Sequence, residues 1–310
     1  DQSENKLSEI AEKTGVDLKI LDCSAEFKSK VTDYFIKAYV SGLTPNPCIV
    51  CNPLIKFGTV LSFAKKLGAT SLATGHYARI NKDDFGKYHL LRGIDKKKDQ
   101  SYFLSRLTQE QLSFACFPLG NITKDEVKKI AVGKGLASLA GNESQDICFT
   151  ENKTYGEFIA GQSLEKSRAG IIEDVNGNII GKHQGLHLFT VGQRHGINCP
   201  ASEPYYVIRI DIKRNRLVVG FKENIYSREL EIENINWINN RPSAPIRVAT
   251  QIRGRHIPAP STLFSAGESR AKIIFDTPQS SITSGQGAVF YRGDEVIGGG
   301  WIVRNEDEIT

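Results

Sequence analysis

Apolar positions along the first third of the chain switch between two periods. Leu7, Ile10 and Ala11 share one helical face over residues 4–14, a run ended by Gly15, and Val16 to Leu21 then reads as a short strand. Phe27, Val31, Phe35 and Ala38 restore the helical period over 25–39. Phe57, Val60, Leu61 and Ala64 predict a further helix closed by Gly68, and Ser71 to Thr74 predicts a buried strand running into Gly75-His76-Tyr77. Strands alternating with helices imply a parallel α/β sheet, whose ligands bind beyond the carboxyl ends of its strands. Gly75 and His76 stand at such an end.

A strand over Lys87 to Arg92 leads into Asp95-Lys96-Lys97-Lys98-Asp99-Gln100-Ser101-Tyr102-Phe103-Leu104, a charged loop that turns apolar. Two helices follow, each opened by a capping box, Thr108-x-x-Gln111 and Thr123-x-x-Glu126. From about residue 153 the texture becomes β. Ile171 to Ile180 contains an Asn176-Gly177 hairpin turn, and Tyr205 to Asp211 pairs with Arg216 to Val219. Beyond residue 230, Ile246 to Ile252, Ala271 to Phe275 and Gly287 to Arg292 are short alternating strands at the spacing of a small barrel.

Composition narrows the class. In 310 residues, 40% are hydrophobic and 24% charged, near the averages of globular proteins. No apolar run approaches bilayer-spanning length and no N-terminal signal pattern is evident, so a cytoplasmic protein with no membrane partner is expected. A net charge of +5 suits a polyanionic partner and is also ordinary for an enzyme.

Six cysteines are too few for a disulfide scaffold, and in a reducing compartment clustered thiols point to metal or redox chemistry. Thr44-Pro45-Asn46-Pro47-Cys48-Ile49-Val50-Cys51-Asn52 carries two of them. Its prolines predict an extended loop or turn with both thiols on exposed, stiffened backbone. Cys48-x-x-Cys51 is half of a zinc site without a second pair, which favours redox or persulfide work and no metal. Cys148 by itself reads equally as a small buried hydrophobe or a reactive thiol. Cys23, Cys116 and Cys199 read as structural or incidental.

Several motifs occur together and in order: Thr44-Pro45-Asn46-Pro47-x-x-x-Cys51-Asn52, Lys56-Phe57, Ala73-Thr74-Gly75-His76-Tyr77, Lys98-Asp99-Gln100-Ser101-Tyr102-Phe103-Leu104, Phe117-Pro118-Leu119-Gly120, Glu143 to Phe149, Gly192-Gln193-Arg194 and Ser284-Gly285-Gln286-x-Ala288-Val289-Phe290-Tyr291. This combination resembles the bacterial tRNA-specific 2-thiouridylase family (MnmA type) over essentially the whole chain. The resemblance implies a Rossmann-like adenine-nucleotide domain of the PP-loop type, a small β-rich central domain and a C-terminal β-barrel, placed at residues 1–152, 153–224 and 225–310. It implies ATP-dependent exchange of the C2 oxygen of the wobble uridine for sulfur in tRNAs for Lys, Glu and Gln.

By the same resemblance, Cys148 is the persulfide carrier, loaded by a cysteine desulfurase or a sulfur-relay protein. Cys51 is the partner nucleophile, which attacks the persulfide to release sulfide or resolves the transfer, leaving a Cys51–Cys148 disulfide. Gly75 contacts ATP, with Mg2+ accompanying it. Asn46, Pro47 and Cys48 face the target base. His76, Lys98, Asp99, Gln100, Arg253, Gly254 and Gln286 contact tRNA.

Three departures from the family pattern matter. Some members carry Asp where Cys48 stands, so no carboxylate role transfers there. Gly254 replaces an aromatic residue after Arg253, which removes a stacking platform. The Ser-Gly-Gly-x-Asp-Ser phosphate loop is not found in these residues, and the expectation is that this polypeptide alone does not adenylate. A catalytically incomplete tRNA-binding module therefore stands as the alternative, with a dithiol oxidoreductase built on Cys48 and Cys51 behind it.

Overall fold

The computed structural model describes residues 2–136, 147–150, 153–162 and 168–303. The Glu143 to Asp146 part of the Cys148 motif lies outside them.

The α/β part opens with a helix, Gln2–Thr14, as its periodicity predicts. Residues 16–21 are not a strand. They join no strand among the described residues, and Val16, Leu18 and Ile20 are all exposed. Alternation makes a strand only where a neighbouring edge takes up its backbone groups. The helix over 24–40 buries Val31, Phe35, Ala38 and Tyr39.

The proline-rich segment departs from expectation. Pro47–Lys66 is a single helix of 20 residues, not a loop. Asn46 caps it, accepting from Ile49 N at 3.4 Å, and Pro47 takes the first turn, where its missing N–H costs nothing. Among the described residues this helix alone is long and apolar enough to cross a membrane by length and composition, which corrects the expectation that no run approaches that length. Its Ile49, Ile55, Phe57 and Leu61 are buried inside the protein, Ile49 and Phe57 within the core shared with the barrel.

Strand β1, Leu72–Ala73, pairs in parallel with β4, Ala115–Cys116, at the register Leu72↔Ala115. β1 is shorter than predicted and half exposed, because a single short neighbour covers it. Between them lies a hairpin, β2 (Ala78–Lys82) and β3 (Tyr88–Arg92). The helices Gln109–Phe114 and Lys124–Gly133 both start at the predicted capping boxes.

The middle segment is a four-stranded sheet of β5 (Gly170–Asp174), β6 (Ile179–His183), β7 (Tyr206–Asp211) and β8 (Arg216–Gly220), in the order β6-β5-β8-β7. Gly177 turns the first hairpin at φ 85°, where a side chain would be strained. Ile172, Val207, Ile210, Leu217 and Val219 form its core.

The last segment is a closed six-stranded barrel of β9 (Tyr226–Trp237), β10 (Ile246–Gln251), β11 (Ala259–Ala266), β12 (Arg270–Ser280), β13 (Gly287–Arg292) and β14 (Glu295–Ile302). The order β13-β10-β11-β12-β9-β14 closes through β13–β14, leaving no free edge within the ring. The hairpin β2–β3 adds to β14 at Leu91↔Glu295. One core therefore holds Ile49, Phe57, Leu90, Tyr102 and Leu112 together with Val289, Tyr291 and Val296 of the barrel.

Candidate thiol and nucleic-acid site

The site lies where the N-terminus of the Pro47–Lys66 helix, the carboxyl end of β1 and two barrel loops meet. Capping by Asn46 puts Cys48 in the first helical turn and Cys51 at the start of the second, Cys48 exposed and Cys51 half-buried. Asn52, buried, donates from Nδ2 to Phe103 O at 2.9 Å and ties this turn to the Lys98–Leu104 segment.

All six cysteines are free thiols. Burial raises the Cys51 thiol to about 11; the Lys56 ammonium pulls it down, and Cys48, Cys148 and Cys23 push it up. Cys48 is exposed as a residue, yet protein atoms around it desolvate the thiol and raise it, with Cys148 adding to the rise and Lys56 opposing it. Cys51, Cys48 and exposed Cys148 thus share one electrostatic neighbourhood, although Cys148 is far away in sequence. Phe149, next to Cys148, packs edge-on against Phe27, Phe35 and Phe158 and anchors that end. Cys116 is exposed on β4, and Cys199 packs against the core of the middle segment.

His76 is 8% exposed. Its Nδ1 is 2.8 Å from Thr74 Oγ1 and its Nε2 is 3.4 Å from Lys56 Nζ. Burial, reinforced by Lys56, lowers its pKa to about 4, so it is neutral at pH 7. A neutral ring accepting from Lys56 at Nε2 carries its hydrogen on Nδ1 and donates it to Thr74. Gly75 is exposed beside it, and a Cβ there would meet only Leu119 Cδ1 at 3.8 Å.

Asp99 turns inward, with its side chain 5% exposed. Its oxygens accept from Arg92 Nε (3.2 Å), Gly93 N (3.0 Å), Ser101 N (3.2 Å) and Ser101 Oγ (2.9 Å). Gln100 Oε1 accepts from Tyr77 N at 3.1 Å. Lys98 is half-buried in the same loop.

The barrel closes over this segment. Arg253 donates to Ser280 O at 3.1 Å, and Gln251 Nε2 reaches the carbonyls of both Arg253 and Gly254. A Cβ on Gly254 would come within 2.8 Å of Phe103 Cζ, so the Phe103 ring occupies the space beside this glycine. Gln286 donates to Thr44 O at 3.0 Å, just ahead of the Asn46 cap.

The structure thus links the helix start bearing Asn46, Pro47, Cys48 and Cys51 to Gln286 through Thr44, to the Lys98–Leu104 segment and Gly254 through Asn52 and Phe103, and to His76 through Lys56, with Cys148 acting electrostatically on both helix thiols. Sequence reasoning overlooked roles for Lys56, Thr74 and Gln111. No local signal marks them: Lys56 lies five residues after Cys51, a spacing outside the α-helical period. Among the described residues no group of three or more His, Cys, Asp or Glu is arranged to hold a metal ion.

Comparison with known proteins defines the class first. Residues 1–152 match the family described as tRNA methyl transferase HUP domain, 157–221 the tRNA methyl transferase PRC-barrel domain, and 227–302 the aminomethyltransferase beta-barrel domain. The chain is a Rossmann-like HUP domain followed by a PRC-barrel-like middle and a C-terminal β-barrel, the fold class expected from sequence. Relatives across nearly the full chain make the family specific. The tRNA-specific 2-thiouridylase MnmA of Desulfosudis oleivorans is 46% identical over 97% of this chain and 84% of its own length. Those of Geotalea uraniireducens and Synechococcus sp. (strain JA-3-3Ab) are each 43% identical, over 94% and 95% of this chain and 78% and 80% of their own lengths. The chain belongs to the tRNA-specific 2-thiouridylase (MnmA) family, a tRNA sulfurtransferase family. The domain descriptions speak of methyl transfer and the full-length relatives of thiolation; the relatives span all three domains, and the clustered thiols suit sulfur.

Proposed function

We propose that this protein replaces the C2 oxygen of the wobble uridine of tRNAs for Lys, Glu and Gln by sulfur, with Cys148 as persulfide carrier and Cys51 as resolving nucleophile. What supports this reading is that Cys48 and Cys51 stand together at the start of one helix within electrostatic reach of Cys148, whose neighbour Phe149 packs on Phe27 and Phe35. A cysteine desulfurase or sulfur-relay protein loads Cys148 with sulfane sulfur. The Cys51 thiolate attacks Cys148 Sγ; the new bond is the Cys51–Cys148 disulfide, and the bond that breaks releases hydrosulfide. Hydrosulfide adds at the activated C2, the oxygen leaves, and a thiol reductant restores both cysteines.

ATP, when bound, supplies the adenylyl group that makes the oxygen a leaving group. Exposed Gly75, at the carboxyl end of a parallel strand with only Leu119 Cδ1 within 4 Å of where a Cβ would stand, suits a nucleotide approaching the backbone. Mg2+ comes with its phosphates. Asn46, Pro47 and Cys48 form the wall facing the base, and His76, Lys98, Asp99, Gln100, Arg253, Gly254 and Gln286 surround the RNA, through side chain or backbone. A single-stranded anticodon loop with a splayed base suits such scattered loops. We place the reaction in the cytoplasm, where thiols are kept reduced, and divide the chain near residues 152 and 224.

The test is full-length protein, carrying the phosphate loop that adenylation needs, with tRNA, ATP and a persulfide donor, scored for 2-thiouridine by mass spectrometry. Cys148→Ser is expected to abolish thiolation and to retain salt-sensitive tRNA binding. Normal thiolation by Cys148→Ser would refute the mechanism.

A further inference from the structure

The Pro47–Lys66 helix is irregular where it passes the thiols. Residues Asn52–Val60 form a π-helical stretch, in which Leu61 N reaches Lys56 O, five residues back. In an α-helix the residue five positions on lies about 140° around the axis. A π turn takes in more residues, so position i+5 returns close to the face of position i. Lys56 thereby comes round toward Cys51.

Three neighbours hold the widened turn. Pro53 has no N–H to give to the preceding turn. Gln111 Nε2 enters from a separate helix and donates to Pro53 O at 2.8 Å and Phe57 O at 3.0 Å. Gly58 leaves room beside Pro53 O, which a Cβ would meet at 2.9 Å.

We propose that Lys56 is a positioning residue of the thiol site: the π stretch carries its ammonium to the Cys51 side of the helix. There it favours the Cys51 thiolate and, through His76 Nε2, fixes the tautomer of His76. The inference rests on the reading that Cys51 reacts as a thiolate. Lys56 is an exposed residue, yet its Nζ sits 3.4 Å from a ring that is almost fully buried. The ionisable groups acting on Cys51 are Lys56, Cys48, Cys148 and Cys23. Lys56 is the one cation in that set, so no other member can replace its effect. Its direction agrees with the downward pull on both Cys48 and Cys51.

The experiment measures iodoacetamide alkylation of Cys51 in the intact protein, by peptide mass spectrometry across pH, without RNA or ATP. Lys56→Gln is expected to slow alkylation at mildly alkaline pH by at least about threefold and move its midpoint upward, while Lys56→Arg stays near the wild-type rate. Gly58→Ala, which disturbs the π turn and leaves the ammonium intact, should slow it as Lys56→Gln does. Wild-type alkylation in Lys56→Gln or in folded Gly58→Ala would overturn the proposal. So would a Lys56→Arg protein as slow as Lys56→Gln, since packing and not charge would then be responsible. Should Gly58→Ala fail to fold, the two Lys56 variants decide. Failure of full-length wild-type protein to make 2-thiouridine would sink the functional reading without altering these rates.

Discussion

Gln286 of the barrel donates from Nε2 to Thr44 O at 3.0 Å, joining residues 242 positions apart. Thr44 N in turn donates to Ser284 O at 2.9 Å. The barrel loop therefore grips the backbone just before the Asn46 cap, and the position of Cys48 and Cys51 depends on a domain distant in sequence.

Loosening that grip should be measurable. Gln286→Ala is expected to lower stability by about 1 kcal/mol, the usual net worth of one hydrogen bond. Gly285→Ala should cost more: its φ is 89°, and a Cβ would meet Leu43 Cβ at 2.9 Å and Thr44 N at 3.0 Å. Urea unfolding checks both, and equal stability of Gly285→Ala and wild type would contradict the close approach.

A pH-dependent joint connects the β2–β3 hairpin to the barrel. His89 Nδ1 pairs with Glu295 and its Nε2 with Asp83 at 3.0 Å. Hydrogen bonds to Asp83 and then Glu295 raise the His89 pKa above 6.5. A folded-state pKa above the unfolded one gives stability that is full below about pH 6.5 and is lost as pH rises through the raised value. The stability of the wild-type protein relative to His89→Gln should therefore shrink as pH rises from about 6 through that value. A difference independent of pH would show that His89 is not charged in this joint.

The parts of the fold legible in the sequence were those carried by local chemistry. Thr108 and Thr123 fixed two helix starts because a capping box needs only four residues. Asn176-Gly177 fixed a hairpin because its turn needs left-handed backbone. The helix at Pro47 was misread because two prolines outweighed the Asn46 cap, although proline is at home in a first turn. Residues 16–21 were misread because strand pairing is a property of neighbours, which alternation alone does not supply. Within the site, the resemblance marked Cys51, Cys148 and His76, yet nothing local revealed that Lys56 returns to Cys51 through a π turn propped by Gln111. The inward turn of Asp99 was equally hidden, since Lys98-Asp99-Gln100 reads as a solvated charged loop until Arg92 is placed beside it.

Gly254 and Phe103 should be energetically coupled. Gly254→Ala pushes a Cβ to within 2.8 Å of Phe103 Cζ and is expected to cost about 1–3 kcal/mol by overpacking. Phe103→Ala removes the ring and costs its own packing. In the double variant the alanine at 254 has room, so the combined loss should fall short of the sum of the single losses by at least about 0.5 kcal/mol. Strict additivity in a double-mutant cycle would mean that the barrel loop does not rest on Phe103.

Asp99 poses the sharpest choice between contacting RNA and building the loop that contacts it. Its carboxylate accepts from Arg92, Gly93 and Ser101 and is almost wholly shielded. Arg92 also lies over the Tyr291 ring, whose hydroxyl reaches Ser101 Oγ at 3.2 Å and Gln251 Oε1 at 3.1 Å. Removing the carboxylate strands the Arg92 charge and two backbone donors at the interface between the α/β part and the barrel. Asp99→Ala is therefore expected to lower unfolding stability by about 2–4 kcal/mol even without RNA. Lys98→Ala, which changes charge in the same loop, should instead weaken tRNA binding and reduce its salt slope by about 1 if Lys98 meets a phosphate. Urea unfolding and tRNA titration on both variants separate the roles. An Asp99→Ala protein with wild-type stability and weakened tRNA binding would make the carboxylate a direct RNA contact and remove it from the structural joint.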